Sequence, residues 1–598
     1  MSTFGDLLKY LKIYRRYIGR RMYLVFGFAV AVAFTQGFGI TLILPLLRAS
    51  QSGGTQDMGW AEQTLHDLLS WMGIAESLPG ILAFIALVFV GKGLLTFSKG
   101  VYVNYLRTQL LRELKTSLFD AYCKMRYRYY IQKNAGHFIN VINGQVNGFF
   151  GSFSSFSRFL TQITTTLGYF AFAFAIAWRF ALMALGVGLG LLFLFKYLNA
   201  YVRRLSRRQS AEMSTLNKLL VQSLQSFKYI VGTNQTTHLR SGVVKSVERL
   251  VKYMFRKGVA GSLTGSIKEP VSVLLITGLI ALQVMVFNEA IAPIFVALLL
   301  FHRGMQATIA IQSSWQQTMN QIGSLEMVTD EFAAVREHEE QSGPRELGPL
   351  QKGVQFENVH FAYNEEDGDV LHNINIEVPI NQSVALVGES GAGKSTLVDM
   401  MTLMLRPRTG TIRIDGVPHD EIDVTSWRDQ IGYVSQKTVV FDDTVANNIS
   451  LWQGDIEDDP ALRERVMHAA ERAHADHFIR DLPNGYQTMV GDRGVRLSGG
   501  QKQRLFVARE LFKEPNLLLL DEATSDLDTA SEQHIQDSID ALQGEVTVVI
   551  IAHRLSTVKN ADRVYVLDDG RVIEEGSYHE LRSRENGEFR EMVEMQSL

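Results

Sequence analysis

The sequence has little cysteine, little net charge and no evident cleavable leader. Cys123 is the only cysteine among 598 residues, which excludes a disulfide within the chain and a CxxC metal site. The net charge of −3 indicates no class of partner, and we expect no nucleic acid partner. The basic stretch from Lys9 to Arg21 runs into an apolar segment of about 25 residues, which is long enough to span a bilayer.

Length and composition predict two large domains. The chain is 46% hydrophobic with a mean hydropathy of +0.03, and these values average a very apolar first half with a soluble second half. We predict an α-helical membrane domain over residues 1–330 and a soluble α/β domain over residues 353–598. Residues 331–352 are charged and contain Gly and Pro, which is typical of a connection between domains.

Hydropathy predicts six transmembrane helices in the first half. The predicted spans are 22–47, 78–105, 150–177, 180–202, 269–288 and 290–312. Basic residues precede the first span and follow the fourth, whereas the loop after the first span is acidic, so the positive-inside rule places the N-terminus in the cytoplasm. The outer loops after the third and fifth spans are very short, and the cytoplasmic connections 106–149 and 203–268 are long and helix-forming.

A phosphate-binding loop is the clearest chemical signal in the second half. GESGAGKS, at 388–395, has the pattern GxxxxGK[ST], in which small residues let backbone N–H groups curl around the α- and β-phosphates. Lys394 would reach the β/γ oxygens, and Ser395 would offer a hydroxyl to Mg²⁺. A strand-like run before the loop and a helix start after it argue against a simple Gly-rich turn. The predicted nucleotide-binding residues here are Gly388, Ser390, Gly391, Gly393, Lys394, Ser395 and Thr396.

Further polar residues follow apolar strand-like runs. NLLLLDE ends in two acids, which suits Asp521 for Mg²⁺ or its water shell and Glu522 for polarising the attacking water. Gln436 and His553 each follow a short β-rich run, so both could reach the γ-phosphate from strand ends. The alternative is that these are ordinary strand-end residues with structural roles.

The motif LSGGQ, at 497–501, completes a resemblance to a known family. With the phosphate-binding loop, it makes the chain from about Val354 onward resemble the nucleotide-binding domain of ATP-binding cassette (ABC) transporters. The resemblance implies that ATP and Mg²⁺ bind here. It also implies the following roles: adenine stacking by Tyr363, metal binding by Gln436 with Ser395 and Asp521, and catalysis by Glu522, His553 and Gln436.

The same resemblance implies a homodimer. Four residues would contact the ATP that is held by the other subunit, and these are Ser498, Gly499, Gly500 and Gln501. Asp526 is a departure from the family pattern, because the SDLD segment commonly carries a small residue there. It bears on communication between the two sites and not on ATP binding.

Six spans followed by an ATPase on one chain are similar to the ABC exporters, as half-transporters. This implies an ATPase coupled to outward transport across the inner, or cytoplasmic, membrane, with membrane lipids as partners. The segments near Tyr129 and over 232–240 would hold the coupling helices. ABC-built regulators or channels bind ATP without pumping and form the alternative class. They often have degraded sites, whereas this chain keeps Lys394, Glu522 and LSGGQ.

Two features of the first half bear on the substrate. The segment from Trp60 to Met72 in the first outer loop predicts an amphipathic helix, which would lie on the lipid surface or pack on the outer ends of the spans. Basic residues inside apolar spans are costly and tend to face a cavity, although they can also snorkel or pair with Glu269. The candidate cavity residues are Lys92, Lys99, Arg158, Lys196 and Arg303.

The first span and the outer helix are most similar to bacterial lipid-linked oligosaccharide flippases. This resemblance implies an amphipathic, anionic substrate with a lipid tail. Lipid A flippases, peptide exporters and multidrug exporters are the alternatives within the family.

Overall fold

The computed structural model describes residues 3–50, 60–75, 77–176, 178–287, 291–364, 368–522, 529–552 and 554–596. The chain forms two compact units. The first, here called the helical unit, comprises Met1–Met125 and Lys133–Glu339. The second, here called the α/β unit, comprises Arg126–Gln132 and Glu340–Leu598.

The first thirteen helices occupy the chain before the sheets. They are α1 (Thr3–Ile18), α2 (Arg21–Thr41), α3 (Ile43–Ser50), α4 (Trp60–Trp71), α5 (Leu78–Cys123), α6 (Tyr127–Gln132), α7 (Ala135–Asn140), α8 (Val146–Ile176), α9 (Trp178–Gln225), α10 (Phe227–Gly232), α11 (Thr236–Phe287), α12 (Ile291–Asn320) and α13 (Ile322–Glu337). A π-helical turn at Val141–Gln145 joins α7 to α8. Helix α6 belongs to the α/β unit, and it contains Tyr129, near which the first coupling helix was predicted.

The described residues of all six predicted spans lie almost entirely in helices. The first covers α2 and the start of α3, and the others fall in α5, α8, α9, α11 and α12. Among the described residues, Arg21–Leu46 and Leu78–Cys123 are long and apolar enough by composition to cross a membrane. The two connections predicted to be cytoplasmic are largely helical, because α5, α9 and α11 continue well beyond their apolar stretches.

Aromatic and leucine side chains form the core of the helical unit. Helix α8 packs on α12 and α2, and α9 packs on α11. Along α5, a leucine is buried at every fourth position from Leu106 to Leu118, which gives one apolar stripe on the helix. The hydroxyl of Tyr14 is hydrogen-bonded to that of Ser152 at 2.7 Å, so this buried polar pair is satisfied.

The outer helix α4 divides its apolar residues between two environments. Leu65 and Leu69 are buried, and α4 packs against α3 and α8. Leu68 is partly exposed, and Trp71 keeps 85% of its surface exposed. The segment predicted to be an amphipathic helix is therefore a helix, and its apolar residues are unequally buried.

The strands of the α/β unit form two sheets. They are β1 (Gly353–Phe361), β2 (Leu371–Pro379), β3 (Ser383–Gly388), β4 (Thr409–Ile414), β5 (Val417–Pro418), β6 (Ile431–Val434), β7 (Leu517–Asp521), β8 (Thr547–Ile551), β9 (Arg563–Asp568) and β10 (Arg571–Gly576). Antiparallel pairing orders one sheet β2-β1-β4-β5. The other sheet runs β10-β9-β3-β8-β7-β6, and it is parallel except for β10.

The parallel strands are continuous apolar runs because both faces of this sheet are covered. Every residue of β7 and β8 is buried. The helices of this unit are α14 (Lys394–Met401), α15 (Val424–Arg428), α16 (Val445–Ser450), α17 (Pro460–Arg472), α18 (Asp476–Arg480), α19 (Gly499–Phe512), α20 (Thr529–Ala541), α21 (Tyr578–Ser583) and α22 (Glu588–Gln596). Parallel strands carry their carboxyl ends to one edge, so β3, β6 and β7 bring their following residues together there.

Candidate active site

The phosphate-binding loop joins β3 to α14 as the sequence predicts. All three of its glycines have positive φ, at +146° for Gly388, +92° for Gly391 and +95° for Gly393. A Cβ at Gly388 would overlap the carbonyl oxygen of Leu567, so only glycine fits that turn. The loop thus bends tightly and ends at the N-terminus of a helix, which is a suitable cradle for phosphate.

Lys394 is buried at the first position of α14. Its ammonium donates hydrogen bonds to the carbonyl oxygens of Gly388 and Glu389, both at 2.8 Å. Burial lowers the pKa of Lys394 from its ordinary value, while Glu522 and Asp521 act in the opposite direction. The loop therefore holds the amine beside two carboxylates.

Two carboxylates end β7 beside the loop. The hydroxyl of Ser395 lies 3.5 Å from a carboxylate oxygen of Asp521. The side-chain amide of Gln436, just after β6, donates to Glu522 at 2.6 Å. Glu522 has φ of +51°, and its N–H donates to the carbonyl of Ile551 at 3.1 Å, which fixes the turn after the strand. A hydroxyl, an amide and carboxylates are the oxygen donors that suit Mg²⁺.

Tyr363 lies over the start of α14. Its hydroxyl is hydrogen-bonded to that of Thr396 at 3.0 Å, and its ring meets Phe361 edge-on at 5.0 Å. Asp399, one turn further along α14, is an acid that the sequence interpretation missed. Burial, helped by Asp521, raises its pKa to about 6. Its position one turn after Ser395 on a predicted helix was the available signal.

The LSGGQ motif forms the start of α19. Ser498 caps the helix by accepting from the N–H of Gln501 at 3.2 Å, while the Gln501 side chain accepts from the N–H of Ser498 at 2.9 Å. This capping box gives both residues a local structural role. Ser498 and Gly499 are nevertheless exposed, whereas Gly500 is buried. Their predicted contact with ATP of another subunit stays a prediction.

Two residues named from the sequence, His553 and Asp526, lie outside the described residues. The other residues predicted for the ATP site fall into two places. Those of the phosphate-binding loop gather with Tyr363, Gln436, Asp521 and Glu522, and Ser498, Gly499, Gly500 and Gln501 lie at the start of α19.

Comparison with known proteins shows which family the chain belongs to. A family model described as ABC transporter matches residues 371–525, and one described as ABC transporter transmembrane region matches residues 22–309. The ATP-dependent lipid A-core flippase of Coxiella burnetii is 30% identical over 521 residues, which cover 86% of each protein. The chain belongs to the ABC transporter family.

Two further proteins resemble this ABC transporter. The heterocyst differentiation ATP-binding protein HepA of a Nostoc species is 30% identical over 488 residues, which cover 81% of the transporter and 78% of HepA. A solved structure of a bacterial Atm1-family ABC exporter with ATP bound has a TM-score of 0.78 and 25% identity, with 98% of both chains covered. The predicted fold class is confirmed: a helical membrane domain with an ABC ATPase domain, in the exporter arrangement of a half-transporter.

Membership of the family establishes the general activity of the protein. The transporter binds ATP and is an ATPase coupled to transport, as predicted. It is a multi-pass membrane protein with a cytoplasmic ATPase domain.

The helical unit of the transporter contains a cavity of about 750 Å³ lined by four cations. Two of them, Lys99 and Arg158, were candidates from the sequence, and Arg107 and Lys257 were missed. Of the described residues that line the cavity, none is acidic. Arg107 and Lys257 lie on long helices beyond the predicted spans. The sequence prediction considered only cations within the spans.

Neutral acceptors hold three of the cavity cations. Lys99 donates to the hydroxyl of Thr161 at 2.5 Å, Arg158 donates to the side-chain oxygen of Gln317 at 3.0 Å, and Lys257 donates to that of Gln209 at 3.1 Å. The guanidinium of Arg107 lies over the ring of Phe150 at 4.0 Å, and its Nε atom is buried without a hydrogen-bond partner. These contacts orient the cations without neutralising them.

The remaining candidate cations lie elsewhere. Lys92 is 5.3 Å from the ring centre of Phe89, and it is near enough to Arg303 for their charges to interact. Neither is among the residues that line the cavity. The side chains of Lys196 and Glu269 lie outside the described part of the chain.

Proposed function

We propose that this ABC exporter is an ATP-driven flippase that moves an anionic, phosphate-bearing glycolipid from the inner leaflet outward. It would act as a homodimer in the inner membrane. The cavity with four cations and no described acid carries the proposal. Lys99 and Arg158 lie within predicted spans, where a cation without an acid beside it is expensive, and an anionic ligand that binds there offsets the cost.

The proposed ATP site uses the residues gathered at the edge of the parallel sheet. Backbone N–H groups of the phosphate-binding loop would hold the phosphates, Lys394 would bind the β/γ oxygens, and Tyr363 would stack on adenine. Ser395, Asp521 and Gln436 would hold Mg²⁺, which neutralises phosphate charge when bound. Glu522 would orient and deprotonate the attacking water, with Gln436 as its hydrogen-bond partner and His553 as a second group near the γ-phosphate.

The composite site would form between two copies of the chain. Ser498, Gly499, Gly500 and Gln501 at the N-terminus of α19 would contact the ATP held by Lys394 of the partner. An exposed helix start with small residues allows close approach of a phosphate. ATP that binds better to the closed dimer would shift the transporter toward its outward state.

Two observations favour a lipid substrate. The relative from Coxiella burnetii is named as a lipid A-core flippase, and lipid A bears phosphate on a saccharide with acyl tails. The outer helix α4 leaves Leu68 and Trp71 exposed, and an exposed tryptophan suits the interface of a bilayer. A lipid-linked oligosaccharide, the narrower expectation from the sequence, shares the phosphate and the tail.

Stimulation of ATP hydrolysis in proteoliposomes tests the proposal. The probes are lipid A, a polyprenyl-diphosphate-linked oligosaccharide and a neutral amphiphile of matched tail length. Combined Lys99→Gln and Arg158→Gln should reduce stimulation by the anionic probes about tenfold, because two charge-assisted hydrogen bonds to phosphate are lost. Arg112→Gln is the matched control. It removes an exposed cation from α5, the helix that carries Lys99, at a position outside the cavity.

The result separates the candidate substrates. The anionic probe that stimulates more strongly identifies the better head group. If the neutral amphiphile stimulates the wild type equally and the double variant keeps that response, the flippase proposal gives way to a drug or peptide exporter.

A further inference from the structure

Three metal-ligating side chains converge on the β1–β2 hairpin, apart from the phosphate-binding loop. They are His360, Asp369 and His372, and one ligand atom from each lies within 4.8 Å of the others. Among the described residues, no other group of His, Cys, Asp or Glu converges in this way. Neither ATP hydrolysis nor the substrate cavity uses these three residues.

The register of the hairpin produces the convergence. Phe361 of β1 pairs with Leu371 of β2, Val359 pairs with Ile374, and the register shifts between these two pairs, at His360. The paired strands bring His360 and His372 close together at this irregularity. The two imidazole rings are 6.4 Å apart between centroids and nearly perpendicular, at 88°. Asp369 lies in the connection just before β2 and faces the first ring.

Neighbouring backbone fixes both histidines. The carbonyl of His360 accepts from the N–H of Arg408 at 2.8 Å, and the N–H of His372 donates to the carbonyl of Gly570 at 2.8 Å. The two ligands are therefore anchored to different neighbouring segments, which limits how far they can separate. Such rigid placement lowers the conformational cost of binding a metal.

One distance between ligand atoms already matches a tetrahedral metal centre. The Nδ1 atom of His360 lies 3.2 Å from Oδ2 of Asp369. Two ligands on a tetrahedral Zn²⁺, at about 2.0 Å each, are about 3.3 Å apart. The other oxygen of Asp369 accepts from Arg408 at 3.2 Å, and an outer hydrogen bond of this kind orients a ligating carboxylate. His360 keeps 34% and Asp369 22% of its side chain exposed, so an ion can enter from solvent.

We propose that His360, Asp369 and His372 form a binding site for a divalent transition metal of the Zn²⁺ class. Two imidazoles and a carboxylate supply three ligands, and water completes the coordination. A bound ion links β1 and β2 across the connection that carries Tyr363. Occupancy therefore stabilises this hairpin by binding only the folded arrangement.

Titration of the full-length protein with Co²⁺ and Zn²⁺ tests the site. The protein is purified in detergent through a tag without histidine, treated with EDTA, and titrated without nucleotide. Tetrahedral Co²⁺ gives strong visible absorption, and Zn²⁺ should displace it. His360→Ala and His372→Ala should each weaken Zn²⁺ binding at least tenfold, because each removes one of three protein ligands.

Two further variants keep the test interpretable. His477→Ala removes an exposed histidine that lies 3.6 Å from one carboxylate of Asp481, and it should leave the affinity unchanged. Asp369→Asn preserves the shape of the side chain and an oxygen for Arg408, yet it should weaken binding because a neutral amide is a poor ligand for Zn²⁺.

Thermal unfolding supplies a readout that does not depend on activity. Zn²⁺ should raise the melting temperature of the wild type and of His477→Ala, and it should not raise that of His372→Ala. Similar melting in EDTA shows that the variants are folded. The proposal is overturned if the wild type shows no tetrahedral Co²⁺ absorption, or if the histidine variants bind Zn²⁺ as tightly as His477→Ala. His360, Asp369 and Arg408 are then only a hydrogen-bonded network.

Discussion

At the scale of single residues, the charge of Glu522 can be removed without changing the contacts that fix the phosphate-binding loop. Its carboxylate is held by Gln436, whereas the phosphate-binding loop is fixed by glycine turns and by the contacts of Lys394. A neutral amide at position 522 keeps the shape of the side chain and removes its basicity. Binding and hydrolysis should therefore respond differently to one substitution.

We predict that Glu522→Gln retains ATP binding and lowers steady-state hydrolysis about 100-fold or more, because it removes general-base activation of water. Nucleotide binding by fluorescence and phosphate release measure the two effects. Glu514→Gln is the control, since this exposed glutamate precedes β7 and lies outside the site. Near-normal turnover by Glu522→Gln would refute the role proposed for this carboxylate.

At the scale of elements, α4 shows how one short helix can serve two environments. Leu65 and Leu69 recur four residues apart and are buried, so they attach the helix to the helical unit. Leu68 and Trp71 point away from that contact and remain exposed. Packing and any contact with lipid thus depend on different residues of the same helix.

We predict that combined Leu68→Ser and Trp71→Ser reduces stimulation of ATPase by long-tailed lipid more than stimulation by a tail-less head-group analogue. The physical reason is the loss of apolar area at the bilayer interface, while the buried contacts remain. Leu69→Ser is the comparison, because it removes a fully buried side chain and should lower thermal stability. An equal loss of response to both lipid probes would contradict the proposed tail contact.

At the scale of the whole molecule, the proposed dimer makes each ATP site depend on two copies of the chain. Lys394 begins α14 and Ser498 precedes α19, and these helices are separate elements of the α/β unit. If the site is shared, damage to one residue affects the site that contains the partner's complementary residue. Mixing differently substituted subunits distinguishes a site shared between two subunits from a site completed within one subunit.

We predict that mixed dimers of Ser498→Arg and Lys394→Ala subunits retain measurable ATPase activity. One composite site then carries both changes, and the other contains neither. Homodimers of each variant should be far less active, because every site is damaged. Tandem purification through two different tags isolates the mixed species. An inactive mixed dimer would indicate that each subunit completes its own site, since both sites would then carry one change.

The sequence by itself determined the features that depend on local backbone periodicity and local turns. Continuous apolar runs predicted the six long helices, whose backbone hydrogen bonds lie within each helix. They also predicted the buried strands β3, β7 and β8, because a strand covered on both faces is apolar throughout. The phosphate-binding loop was also predictable. Its glycines are required by the positive φ angles of a single turn, at Gly391 and Gly393 among others.

Only the tertiary structure decided which distant side chains meet. Lys99, Arg158 and Lys257 come from three different helices, and packing of those helices places them at one cavity. The division of α4 into a packed and an exposed face depends on its neighbours, which helical periodicity does not specify. His360 and His372 lie close together because β1 and β2 pair in one hairpin. Periodicity fixes the direction of a side chain relative to its own element, whereas convergence requires that different elements pack or pair with one another.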